Sequence, residues 1–252
     1  MKCFVVAVLL VAICASVVLA QAKRPAYLRL CSRSDPQFDK CMVGKVQELL
    51  PNLLAGDPEL GLPSLNPVHI DELRLDNDIT EEVKSRLLVS DLYIHGTDSA
   101  KVTGVSSTFA DSRVDLDVGL IFPRLVIEGN FRSDVRFRGL PFINKGAFNI
   151  SLSDVSMTMR MEGKTYQKAG EQHLQMQHVR MRPEIGDLSI YISNLFGGAK
   201  DLSDVVLSIA NRYWFIFYNE NLPVLEERWD PLMTGIMNSV LERVPFDHIF
   251  PQ

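Results

Sequence analysis

The chain has 252 residues, room for one large domain or two small ones. Its 46% hydrophobic and 23% charged residues are the balance of a folded globular protein, which excludes a disordered tail, a coiled-coil rod and a multi-span membrane protein. The formal net charge of -5 leaves no basic excess to neutralise phosphates, so nucleic acid is not an expected partner.

Lys2 and the apolar run from Phe4 to Leu19, closing on Val18-Leu19-Ala20, read as an export signal cleaved after Ala20. The run is about 16 residues, short of the roughly 20 that span a bilayer, and no later segment is apolar over such a length. The expected organisation is a signal peptide over 1–20 and a single secreted domain over 21–252. Loss of Lys2 lowers the 26 basic residues to 25 against 31 acidic, a net charge of -6. Cys3 and Cys14 leave with the signal. Cys31 and Cys41 remain, an even pair in an oxidising compartment, and are expected to form a disulfide. A metal pair is the competing reading, but no second Cys or His pair completes four ligands.

Asp35-Pro36 reads as a helix start, with Asp35 at the N-cap and Pro36 at the first helical position. Phe38, Cys41, Met42, Val46, Leu49, Leu50 and Leu53 then recur at helical spacing. Pro51 lies near the end of this helix and Gly56 beyond it. Residues 56–67, with three prolines, read as an extended loop. From about 68 to 194 the period becomes two, as in Val114-Leu116-Val118-Leu120-Phe122, Phe148-Ile150-Leu152, Val155-Met157-Met159-Met161 and Leu188-Ile190-Ile192. Consecutive strands with short turns predict an antiparallel meander of about ten strands, with Glu162-Gly163-Lys164 as one hairpin turn. Leu174 and Met176 are apolar at even positions but Val179 and Met181 at odd ones, which predicts a β-bulge near Gln177–His178. Asn149-Ile150-Ser151 is an N-glycosylation sequon inside a strand; if used, it places Asn149 on the solvent side.

Leu202, Val205, Val206, Ile209, Tyr213, Ile216 and Phe217 begin a C-terminal helical stripe, with Trp214, Phe215 and Tyr218 on its other sides. A helix apolar nearly all round is expected to be buried. Pro223 and Pro231 are expected to kink or break it. The tail from Val244 to Pro251 is apolar and expected to fold back. Many one-faced strands and one long helix require the sheet to wrap the helix, because every apolar face needs a partner. Such a sheet leaves room for an elongated cavity, although a filled core fits the same pattern.

No nucleophile elbow, Walker loop, dinucleotide fingerprint or His-Glu-x-x-His motif is present. His69, His95, His173, His178 and His248 are scattered. His173 and His178 share a face only if the bulge is real, and solvent-facing strand histidines explain them better than a metal pair. Asp115 and Asp117 alternate with buried residues and read as solvent-facing rather than as a catalytic dyad. The run Met157, Met159, Met161 suits either a tolerant pocket wall or a gap-filled core.

Several motifs coincide in order: Cys31 and Cys41 flanking Asp35-Pro36, Gly61-Leu62-Pro63-Ser64-Leu65-Asn66-Pro67, Ile127-Glu128-Gly129-Asn130-Phe131, Phe148-Asn149-Ile150-Ser151-Leu152, Asn211-Arg212-Tyr213-Trp214, and the Val244-Pro245-Phe246-Asp247 and Ile249-Phe250-Pro251 ending. Together they resemble the insect takeout and juvenile hormone-binding protein family, over essentially the whole mature chain. The resemblance implies an α+β fold in which a long C-terminal helix is wrapped by a strongly curved antiparallel β-sheet enclosing a hydrophobic tunnel, similar to one half of the tubular lipid-binding proteins. It also implies a terpenoid or another lipid-like ligand, and feeding, circadian and chemosensory roles occur in the family. Hormone-binding haemolymph members carry a second disulfide; its absence here favours the takeout-like branch and puts juvenile hormone itself in doubt.

The expected function is a secreted, non-enzymatic carrier of a small hydrophobic ligand, without cofactor or metal. The alternatives are a secreted lipid-acting hydrolase and an interaction protein with a vestigial cavity, and no receptor partner is identified. Candidate wall residues are Phe122, Phe137, Phe148, Met157, Met159, Met176, Ile190, Trp214 and Phe217. Candidate polar contacts are Tyr191, Tyr213 and His178.

Overall fold

The computed structural model describes residues 25–78 and 83–252; the expected signal peptide lies outside the described residues. In chain order the elements are α1 (Phe38–Ala55), β1 (Val68–Asp78), β2 (Val83–His95), β3 (Lys101–Ala110), β4 (Arg113–Phe137), β5 (Leu140–Lys168), β6 (Glu171–Ile192), α2 (Lys200–Arg212), α3 (Trp214–Leu241) and α4 (Phe246–Ile249). The strands form one antiparallel sheet in the order β1-β2-β4-β5-β6. The 25-residue β4 serves two neighbours along one edge: its first half pairs with β3 and its second half with β2.

Six strands stand where the alternation predicts about ten, because features that look like strand ends lie inside long strands. Pro123 lies opposite Asp154, whose φ is +51°, and both strands change pleat phase there. Phe122 and Val155 are buried on one side of the step, Leu125 and Leu152 face the same way on the other. The expected hairpin turn at Glu162-Gly163-Lys164 is the interior of β5. Gly163 is buried between Val114 of β4 and Met176 of β6. A Cβ there would sit 3.0 Å from both Leu174 Cδ1 and Met176 Sδ, so this glycine marks close packing, not a turn. The β4–β5 and β5–β6 hairpins close instead at Arg138-Gly139 (φ +49° and +82°) and Ala169-Gly170 (φ +52° and +85°), both residues left-handed as a type I′ turn requires.

The expected bulge is present. Glu162 pairs with His178 and Gly163 with Met176, which leaves Gln177 unpaired. The extra residue lets Leu174, Met176, Val179 and Met181 all point inward.

The helix ends differ from expectation. Asp35 precedes α1 in a turn: its Oδ1 accepts from the Gln37 N–H at 2.8 Å and its carbonyl from the Phe38 N–H at 3.0 Å. Pro36 is therefore outside the helix. At the C-terminus the helical stretch breaks at Tyr213 (φ -116°), not at a proline, and Pro223 and Pro231 lie within the 28-residue α3. An internal proline costs about 3 kcal/mol, and burial of Leu222, Val240 and Leu241 together with polar ties to β6 offset it.

The packed core sits at one end of the sheet. Phe38, Met42 and Leu49 of α1 are buried together with Val114 to Phe122, Leu174 to Val179 and the tail residues Val244, Phe246 and Phe250. Phe38 meets Phe109 edge-on at 5.3 Å between ring centroids, and Phe109 meets Phe250 at 5.7 Å. The Cys31–Cys41 disulfide ties the N-terminal segment to α1. That segment in turn holds the tail: Leu30 N–H donates to the Ile249 carbonyl at 2.8 Å, Arg33 N–H to that of Pro251 at 2.7 Å, and the Arg33 guanidinium pairs with Asp247. Tyr27 Oη donates to Asp57 Oδ2 at 2.6 Å; burial, then the hydrogen bond and charge of that carboxylate, push its pKa up to about 12.

Two measurements check this account. Cys31→Ala with Cys41→Ala should lower unfolding stability by about 2–3 kcal/mol and expose the N-terminal arm to protease before the sheet opens. Gly163→Ala should cost about 1–3 kcal/mol by overpacking, whereas a true turn glycine at an exposed hairpin would leave the sheet core unstrained.

Candidate functional site

β6 is an edge strand, paired only with β5, and its outer edge presents main-chain N–H and C=O groups to α2 and α3. Helix side chains satisfy them. Asn238 accepts from Met176 N–H at 2.8 Å and donates to Met176 carbonyl at 3.0 Å. Asn211 does the same at Ile190, at 2.6 and 2.8 Å. Tyr218 Oη donates to the Pro183 carbonyl at 2.5 Å, and Asp230 Oδ1 accepts from Val179 N–H at 2.7 Å. The spacing is geometric. From 211 to 238 a helix of about 1.5 Å per residue advances about 40 Å, and from 176 to 190 a strand of about 3.3 Å per residue advances about 46 Å. The helical segment therefore runs antiparallel to β6 and acts as a further strand made of side chains.

This clasp sets α3 beside the sheet's inner face, and that face changes character along its length. Val114, Leu116, Val118, Leu120 and Phe122 of β4 are buried, but Leu125, Ile127 and Phe131 beyond the pleat step are only half-buried. Ile150 pairs with Ile190, and Phe148 with Ile192 and Gly129, so the apolar row continues across β4, β5 and β6. The helices keep apolar surface uncovered here: Leu202, Val205 and Ile209 of α2 are 50%, 57% and 49% exposed, and Phe217, Leu225 and Leu232 of α3 are also exposed. The expectation that this stretch is buried because it is apolar all round is therefore corrected: Phe215, Ile216 and Phe217 are exposed, because among the described residues α3 packs chiefly on β6. An apolar surface of this extent, continuing from the buried core to which Leu125, Ile127 and Ile150 are packed, is the candidate binding groove. Two surface depressions of about 390 and 470 Å³ lie elsewhere, among Asp35–Cys41 and around Glu171 and His248, away from this face.

The structure spreads the described sequence candidates over four settings. Phe122 and Met176 are buried in the packed core, and Met157 and Met159 lie half-buried against it. Phe148, Ile190 and Trp214 are half-buried in the region of the groove, with Tyr213 and Phe217 exposed at its side. Tyr191 is 61% exposed on the opposite sheet face, where its register partner is Asn149. The side chain of Phe137 lies outside the described residues. His178 Nδ1 lies 2.7 Å from Asp230 Oδ2, within the clasp. On the outer face Asn149 donates to Glu128 Oε2 at 3.2 Å, and His95 lies 3.2 Å from the other carboxylate oxygen. Sequence reasoning missed Leu125 and Ile127 as groove residues and the asparagines of the clasp. The phase change around Pro123 signals the first two; an Asn in mid-helix facing a strand is the signal for the others. Among the described residues no cluster of three or more His, Cys, Asp or Glu could hold a metal.

Fold and groove define a class: a long helix clasped to the edge of a curved antiparallel sheet, over an apolar inner face. Residues 7–251 match the haemolymph juvenile hormone binding protein (JHBP) family, and the chain belongs to it. It is similar to the circadian clock-controlled protein daywake of Drosophila yakuba, 22% identical over 231 residues covering 90% of this chain and 88% of that protein. The Drosophila melanogaster daywake is 23% identical over the same coverage. The crystal structure of Epiphyas postvittana Takeout 1 superimposes with a TM-score of 0.71 at 21% identity, over 89% of this chain and 100% of that one, which shows the takeout fold. The resemblance read from the motifs is thus established as family and as fold.

The clasp carries a test with a sign. Burial of the Asp230 carboxyl opposes its ionisation, but hydrogen bonds from Val179 N–H, His178 and the Thr234 hydroxyl outweigh burial and hold its pKa below the usual value. A depressed acid stabilises above its unfolded pKa of about 3.9 and loses that contribution as pH falls through the folded value. Wild type should therefore lose stability below pH ~4 more steeply than Asp230→Asn, measured by denaturant unfolding. Asn238→Ala should cost about 1–3 kcal/mol, since it strands two main-chain groups of Met176.

Proposed function

We propose that the chain is an extracellular carrier that holds one small apolar ligand, a terpenoid or other lipid-like molecule, in the groove between α3 and the far half of the sheet. The observation that carries this is the change along β4 from a filled to an accessible apolar face. The family's description as hormone-binding supports it, as does the apolar run at residues 4–19, read as a signal cleaved after Ala20 to leave a domain over 21–252. No helix among the described residues is long and apolar enough to cross a membrane. Asn149, on the outer face, is accessible to glycosylation in this reading. The clock-controlled relatives support a rhythm-linked role.

The energetics favour a preformed groove. A ligand of ~400 Å² apolar area gains at most ~10 kcal/mol at about 25 cal/mol per Å². Association costs of ~4 kcal/mol or more leave modest affinity unless the wall is already in place. The clasp supplies that rigidity without drawing on the ligand.

Ile190→Trp tests the site. It should weaken binding of a farnesol-type terpenoid or a fatty acid more than tenfold while shifting unfolding stability by less than about 1 kcal/mol. Phe122→Trp, in the filled core, should do the reverse and cost about 1–3 kcal/mol. A titration followed by Trp214 fluorescence in a Trp229→Phe background reads the affinity. Absence of saturable binding would refute the carrier reading, and turnover of ester substrates would replace it with a hydrolase.

A further inference from the structure

The outer face of the sheet carries a charge arrangement that the apolar groove does not explain. At the packed end, the outer-face arginines Arg113, Arg160, Arg180 and Arg182 each lie within 4.0 Å of an acid. At the far end the pattern inverts. Arg132 of β4 stands directly opposite Lys145 of β5, and Arg136 opposite Lys84 of β2. All four are exposed. Only Arg136 has an acid beside it, Asp134 on its own strand; Lys84, Arg132 and Lys145 have none within 4.0 Å among the described residues. Like charges opposed across strands destabilise a sheet, so an acidic chain with a net charge of -5 keeps two such pairs at a cost.

Apolar groups stand among these cations. Ile143, 58% exposed, lies opposite Asp134, between the two cationic pairs. Phe196, 42% exposed, follows the loop whose Asn194 donates to the Lys145 carbonyl at 2.9 Å. The next helix starts at Lys200 and carries the uncovered apolar stripe described above.

We propose that the β4–β5 hairpin end is a docking surface for an anionic lipid bilayer, with Arg132, Lys145 and Arg136 on the headgroups and Ile143 and Phe196 entering the interface. Cations flanking exposed apolar groups fit that surface, and an acidic protein would leave the apolar groups without a role. The accessible half of the groove lies at this same end of the sheet, on its inner face. Vesicle binding itself does not depend on the carrier reading.

The test is co-sedimentation of the full secreted chain with vesicles of phosphatidylcholine alone or with one-third phosphatidylserine. Binding is expected only to the anionic vesicles, and is lost between about 50 and about 500 mM salt as the Debye length shrinks. Each Lys or Arg near such a surface strengthens binding about fivefold, so Arg132→Glu with Lys145→Glu should weaken it more than about 25-fold. The single change Lys145→Glu converts a like-charge pair into an ion pair, so it should weaken vesicle binding while leaving the melting temperature unchanged or higher. Ile143→Ser should weaken binding with the salt dependence unchanged. Equal binding to neutral vesicles, no vesicle binding, unaltered binding by the double variant, or sedimentation as a dimer through this face without vesicle binding would each overturn the proposal. Binding of polyglutamate without vesicle binding would also overturn it, in favour of an acidic protein partner.

Discussion

The free edge of β6 is the constraint on which the placement of the C-terminal helix depends. Covering a strand edge with a helix buries main-chain groups that the helix backbone cannot pair, and each unpaired group costs on the order of 1–3 kcal/mol. Here carboxamides do the pairing. Asn238 and Asn211 each take both main-chain groups of one residue of β6. The second edge follows the same logic: Gln47 of α1 donates to the Ala100 carbonyl at 3.2 Å and accepts from Val102 N–H at 2.8 Å, beside β3. A side-chain amide offers a donor and an acceptor side by side, as a neighbouring strand does. The helices are thereby fixed in register with the sheet, not merely packed on it.

This registration explains how α3 keeps two prolines. A helix held by hydrophobic contacts alone could slide or kink where Pro223 and Pro231 remove hydrogen bonds. One tied at 218, 230 and 238 to successive points along β6 has little freedom to do so. The break falls instead at Tyr213, between the Asn211 and Tyr218 ties. The bulge at Gln177 belongs to the same arrangement, because it presents His178 and Val179 N–H together to Asp230.

Strand parity was legible in the sequence wherever a side chain's direction decided it. The inward set 114–122, the outward acids Asp115 and Asp117, and the phase change at 177 all follow from a period of two. Strand length was not legible, because Gly and Pro have two uses. Gly163 and Pro123 look like turn residues; one permits close contact with Leu174 and Met176 and the other marks a coordinated pleat step. The helix reading failed for a different reason. Apolar residues all round imply burial only when something surrounds the helix, and a helix clasped to a sheet edge is covered chiefly on one side. The disulfide was legible from the count, since Cys31 and Cys41 are the two cysteines beyond residues 1–20.

The division between packed core and open groove could not be read from the strands, because both halves have the same apolar alternation. Leu116 and Ile127 are equivalent in side-chain type and in parity, yet one is 5% exposed and the other half-buried. The difference comes from other segments. At one end α1, the disulfide-tied N-terminal arm and the Val244–Phe250 tail converge on the sheet and fill it with Phe38, Phe246 and Phe250. No described element plays that part at the far end, and the helices there are tied to β6 by polar side chains rather than by a filled interface. A face held open by hydrogen-bonded spacers keeps its shape while its apolar wall stays uncovered. That is the physical requirement set by the proposed carrier function.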